Sequence, residues 1–115
     1  MVRGLIRMHL LHALARAALR ALRPRDAKRI VDAAARPLGR FSSIERARRA
    51  ADALDGSGTC LSRALTVASR LDGASVVIGV EPGRHVSMLH AHAWVELGGE
   101  PLRASDPRGE ELVRL

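Results

Sequence analysis

The sequence predicts an α+β fold, in which N-terminal helices precede a small antiparallel β-sheet. Three observations carry that expectation. Apolar residues recur at helical spacing as far as about residue 71. The period then changes to the continuous β-branched run Ala74-Ser75-Val76-Val77-Ile78-Gly79-Val80. Beyond it, glycine pairs and prolines separate short extended segments.

Leu5, Leu10, Leu11, Leu14, Ala17, Ala18 and Leu22 mark the apolar stripe of a first helix, which ends before Pro24. This helix is expected to pack on its own domain rather than on a membrane or a partner. His9 and His12, one turn apart on it, are expected to face solvent, since no third metal ligand lies nearby in sequence. A second helix runs from Asp26, the expected N-cap, to Arg36, with Pro37 and Gly39 as its stop. Ser42 and Glu45 have the spacing of a capping box and open a third helix through Leu54. Gly56-Ser57-Gly58 is a permissive turn, and Thr59 is the expected N-cap of a fourth helix from Cys60 to near Leu71, stopped by Gly73. The strand over 74–80 is followed by a turn at Glu81-Pro82-Gly83-Arg84. A second strand spans about Met88 to Leu97, and a third runs from Leu102 towards Ser105 after Gly98-Gly99.

The length of 115 residues predicts one domain, with a basic helical part over 1–55 and the fourth helix and sheet over 56–115. Phe41 and Trp94 are the only aromatic residues, so the core must come from Leu, Val, Ile and Ala. A single cysteine rules out an internal disulfide and fits a reducing, cytoplasmic setting. Residues 1–50 carry thirteen Lys/Arg against Asp26, Asp32 and Glu45; residues 51–115 carry six Arg against nine acids. A basic half of this kind suits an acidic peptide, a protein partner or an anionic surface. Nucleic acid is not expected, because no aromatics stack bases and no binding motif is present. Arg7, Arg16 and Arg20 interrupt the first apolar stretch, so no transmembrane segment is expected. Residues 1–15 lack a cleavage site after a continuous apolar region and read as part of the mature chain.

The chemistry centres on Cys60. A thiol in the first turn of a helix meets the positive end of the macrodipole, which favours the thiolate a nucleophile needs. His92 follows in the run His90-Ala91-His92-Ala93-Trp94-Val95-Glu96, and Asp106 follows that. Whether His92 and Asp106 meet depends on the hairpin between them. A two-residue loop, Gly98-Gly99, sets His92 opposite Ser105; a three-residue loop, Gly98-Gly99-Glu100, sets it opposite Asp106. In the second register Asp106 fixes the imidazole tautomer, and His92 takes the thiol proton and returns it to the leaving amine. The chain contains neither Gln nor Asn, so oxyanion donors must be the backbone N–H of Cys60 and its turn, assisted by Ser57 or Thr59. His90 shares a strand face with His92 and is an alternative base. Trp94, on the same face, is either core or a lid over the substrate. A zinc site of Cys60, His85, His90 and His92 is the competing reading, although its spacing is a poor structural zinc pattern. No metal or cofactor is expected.

Gly58-Thr59-Cys60-Leu61-Ser62-Arg63-Ala64-Leu65, Val77-Ile78-Gly79-Val80, Ala91-His92-Ala93-Trp94-Val95-Glu96 and Asp106-Pro107 together resemble the transglutaminase-like cysteine proteases. Within them the segments are most similar to the lasso-peptide leader peptidases, the B2 proteins of split B enzymes. The resemblance covers about residues 56–107; the N-terminal half matches only in character. It implies a papain-like triad of Cys60, His92 and Asp106 that hydrolyses one peptide bond between the leader and core of a ribosomally made precursor. It also implies a leader-binding B1 protein that presents the precursor, a separate lasso cyclase acting afterwards, and a preference for threonine near the end of the leader. The alternatives are another transglutaminase-like amide hydrolase or acyltransferase, and a module that binds peptide without cutting it.

Overall fold

The computed structural model describes residues 2–80, 91–103 and 110–115. Four helices, α1 (Val2–Ala21), α2 (Pro24–Ala35), α3 (Ile44–Leu54) and α4 (Cys60–Ala68), precede the strands β1 (Ala74–Val80), β2 (Ala91–Leu97), β3 (Glu100–Pro101) and β4 (Glu110–Arg114). The α+β layout is therefore as the sequence predicts.

Helix α4 is the central layer. It packs on β2 and β1 on one side and on α1, α3 and α2 on the other. Six of its nine residues are buried, Ser62 and Ala64 to Ala68. Leu54, Leu65, Val67 and Val76 are fully buried in the core cluster around it, and small residues such as Ala47, Ala64 and Ala93 let the layers approach closely.

Several boundaries differ from expectation by one to three residues, each for a local reason. Pro24 takes the first position of α2, where its missing N–H costs nothing, so Asp26 lies in the first turn rather than at the cap. Ser43, not Ser42, caps α3 by accepting the Arg46 N–H at 3.2 Å. A 3-10 turn over Arg36–Leu38 carries the chain past Pro37. Helix α4 ends at Ala68 rather than Leu71, and two tight turns lead to Gly73 at φ +76°.

Helix α1 differs more. Its buried face is Met8, Leu11, His12, Ala15 and Ala18, whereas Leu10, counted in the predicted stripe, is 66% exposed. The stripe is rotated because tertiary contacts supply His12 with a polar partner. His9 is exposed as expected, but His12 is only 3% exposed and its Nε2 lies 2.8 Å from Ser62 Oγ of α4.

The sheet order is β3-β2-β1-β4, with every pairing antiparallel. β1 and β2 pair from Ala74↔Leu97 to Val80↔Ala91, which sets Gly79 across from His92. β4 was not foreseen, since Glu110 and Glu111 mask a strand that forms the sheet's far edge, a place where charge is tolerated. A bulge shifts its register between Ile78 and Gly79. Gly98 and Gly99 have φ +63° and +83°, the signature of a two-residue type I′ turn, and Glu96↔Pro101 and Leu97↔Glu100 pair across it. The three-residue register that set His92 against Asp106 is therefore not adopted. Among the described residues, no helix is long and apolar enough to cross a membrane.

Burial pushes the His12 imidazole below its ordinary value of 6.5, helped by the nearby cations Arg16 and Arg63 and by His9. The unfolded chain accepts this proton more readily, so the stability involved is whole above about pH 6.5 and is lost as pH falls below it. We expect the thermal midpoint, followed by circular dichroism, to drop between pH 7.5 and 5.5. The drop should be smaller in His12→Gln; equal drops in both proteins would contradict this account.

Candidate active site

The site is built on the first turn of α4. Thr59 is in extended backbone conformation, and its Oγ1 accepts the Ser62 N–H at 3.1 Å. The Thr59 N–H in turn donates to Ser62 Oγ at 3.0 Å, completing a reciprocal capping box. The capping residue at the third position is thus Ser62, a serine in place of the usual Glu or Gln. Arg63 reaches back to the carbonyls of Ser57 and Gly58, at 2.8 and 3.3 Å, and ties the preceding turn to the helix. These contacts hold Cys60 at the helix start with its thiol partly exposed.

Sγ of Cys60 accepts the backbone N–H of Ala93 at 3.3 Å. Strand geometry explains the meeting. The Val95 carbonyl accepts from Leu102 N–H on the β3 side of β2, at 2.8 Å, and Ala93 two residues earlier turns its N–H to the same side. There β3 has already left the sheet. Leu102 is buried, its carbonyl accepts from Arg48 Nε at 2.8 Å, and Arg103 pairs with Asp52 of α3 and with Asp55, the C-cap of that helix. Among the described residues the thiol, rather than a strand, meets this edge of β2. An N–H aimed at sulfur stabilises negative charge there.

Cys60 and His92 line one cleft of about 170 Å³, together with Ala51, Ala64, Val67, Val95 and Leu102, and with Arg63 and Arg103. Alternation along β2 places His92, Trp94 and Glu96 on the face opposite Ala93 and Val95, which pack into the core cluster. Because Sγ lies at the strand's edge, residues of either face can border the same cleft. No hydrogen bond links the His92 ring to another described residue, and its cross-strand neighbour Gly79 sets no side chain beside it.

Of the other predicted residues, Trp94 also lines this cleft. Thr59 Oγ1 is committed to the cap, and Ser57 is half-buried in the turn. The Cys60 N–H has no hydrogen-bond partner among the described residues, which leaves it available to a ligand's oxygen. Trp94 is buried, and its Nε1–H donates to Glu96 at 2.8 Å; Glu96 also pairs with Arg114 of β4 at 2.8 Å. That network holds Trp94 in place beside the Cys60–His92 cleft. Asp106, His85 and His90 lie outside the described residues. Among the described residues no group of three metal-ligating side chains converges. Sequence reasoning missed His12 and Ser62; the Thr-x-x-Ser spacing at the start of α4 was the signal for the second.

A family model of the transglutaminase-like superfamily matches residues 2–114, and the chain belongs to that superfamily. The match extends through the helical half as well as the segments around Cys60 and His92. Membership is consistent with a cysteine peptidase or amide hydrolase. No curated protein and no solved structure is significantly similar to the chain.

Gly58 has φ +59°, and a Cβ there would lie 2.6 Å from Ser62 Oγ and 2.9 Å from His12 Nε2. Gly56 has φ +83° but open space around it. The left-handed conformation costs about 1–2 kcal/mol for alanine at either position. Urea unfolding should therefore show Gly58→Ala losing clearly more stability than Gly56→Ala. Equal losses would mean that the close approach at Gly58 carries no energy.

Proposed function

We propose that this chain is a cysteine peptidase that separates leader from core in a ribosomally made lasso-peptide precursor. The observation that carries the reading is the Cys60 thiol at the start of α4, receiving the Ala93 N–H and bordering the same cleft as His92. The finer assignment to leader cleavage draws on the resemblance of the Cys60 and His92 segments to the leader peptidases.

In this mechanism Sγ attacks the carbonyl carbon of the scissile bond while His92 takes the thiol proton. The carbonyl oxygen gains charge and is met by the Cys60 N–H. Collapse of that intermediate breaks the C–N bond, and His92 returns the proton to the departing amine, freeing the core peptide with its α-amino group. Water, deprotonated by His92, then hydrolyses the thioester, and the leader leaves as a carboxylate. Asp106 is assigned the role of orienting His92. The resemblance of the Asp106-Pro107 segment, rather than strand pairing, supports that role. The substrate partners are the leader region and a leader-binding B1 protein. The released amine is the group that a lasso cyclase would use, and the expected compartment is the cytoplasm.

The test is incubation of the purified chain and its leader-binding partner with a candidate precursor, read by mass spectrometry. Wild type should release a leader fragment. Cys60→Ala should release none, and His92→Ala and Asp106→Asn should slow release on the order of 10²-fold or more. Cleavage that persists in Cys60→Ala would overturn the catalytic reading; a different cleaved amide would move the chain to another transglutaminase-like hydrolase.

A further inference from the structure

We propose that His12 of α1 is a positioning residue for the Cys60 site, acting through Ser62 on the first turn of α4. The inference rests on the reading of Cys60 as the nucleophile, and it adds a residue fifty positions away in sequence to the machinery that holds it.

Three contacts converge on Ser62 Oγ. It accepts the Thr59 N–H at 3.0 Å, donates to the Thr59 carbonyl at 2.9 Å and meets His12 Nε2 at 2.8 Å. A hydroxyl has one proton and two acceptor lone pairs. All three contacts are satisfied together only when Nε2 carries a proton and donates to Oγ. His12 is then the donor, and the hydroxyl proton is left for Thr59, the residue immediately before the nucleophile. The capping box closes without His12, since Thr59 and Ser62 complete it between themselves. Burying an imidazole to add a further bond costs desolvation and needs a compensating role.

That role is rotational. Without a third contact the Ser62 hydroxyl has alternative rotamers, and the turn over Gly58 and Thr59 can shift with it. The imidazole fills the space against Gly58, closely enough that no Cβ fits there. Gly58, Thr59 and Ser62 are thereby clamped between α1 and α4, and Cys60, bonded to Thr59, inherits the constraint. The charged and titratable groups that act on the ring are Arg16 and His9 on α1 and Arg63 on α4. An imidazolium would also donate to Oγ, so the clamp depends on a donor at this place and not on the charge of the ring.

Because Cys60 is the only thiol, its reactivity can be read without any substrate. Iodoacetamide alkylation of the full-length protein would be followed across pH 6–9 in wild type, His12→Ala, His12→Gln and His12→Asn, with folding monitored by circular dichroism. Glutamine carries an N–H donor near the position of Nε2; asparagine is too short to reach Ser62. Displacement of a reacting group by about 1 Å costs up to about 10²-fold, so alkylation at pH 7 should slow about tenfold or more in His12→Ala and stay within about twofold of wild type in His12→Gln. Precursor cleavage should lose kcat with KM unchanged. A folded His12→Ala that alkylates at the wild-type rate overturns the proposal. Should His12→Ala not fold, the Gln and Asn variants decide: Gln faster supports it, and equal rates overturn it. Wild type that cleaves no precursor while the alkylation pattern holds defeats the peptidase reading alone.

Discussion

The rest of the structure depends on the burial and capping of α4. A nine-residue helix is too short to persist by itself in water, because nucleation costs more than its few internal hydrogen bonds return. It exists here because the sheet covers one side, α1 and α3 cover the other, and the reciprocal Thr59–Ser62 cap satisfies its first turn. The same circumstances make it a good carrier for a nucleophile. A helix buried on both sides cannot tilt without disturbing the core, so the group at its first position is held by the packing of the whole molecule.

Among the described residues, the β2–β3 ladder ends short of Ala93. β3 contributes two residues before Leu102 turns into the core and Arg48 and Arg103 fasten the chain to α3. The edge of β2 beside Ala93 is therefore left to the thiol. An N–H at a sheet edge needs a partner, and sulfur in this position is a weak acceptor when neutral and a good one when charged. The hydrogen bond thus works in the direction that the proposed chemistry at Cys60 requires. On the opposite face of β2, Trp94, Glu96 and Arg114 join three positions of the sheet and stiffen the strand that bears His92.

Much of this is legible in the sequence. The apolar run after Gly73 marks β1, the Gly-Ser-Gly-Thr turn marks the start of α4, and Cys60 and His92 are singled out by residue type and by the segments around them. Other features were not legible, for reasons that differ. β4 is concealed by its two glutamates, which alternate with nothing and belong to an edge strand. The hairpin register turns on one residue of loop length, and the two adjacent glycines with positive φ favour the shorter turn. Asp106 was tied to His92 through the register that is not used, so its role now rests on the family likeness rather than on strand pairing.

The sequence by itself determined the class of fold and the helix that presents the single thiol, and it singled out the pair of residues proposed to carry its chemistry, because hydrophobic period, turn chemistry and residue type are local properties. Only the tertiary structure decided which face of α1 is buried, and hence that His12 reaches Ser62, and which edge of β2 meets Cys60. Those outcomes are set by what each face finds across the interface. Such information lies in residues fifty and thirty-three positions apart, where no local pattern records it.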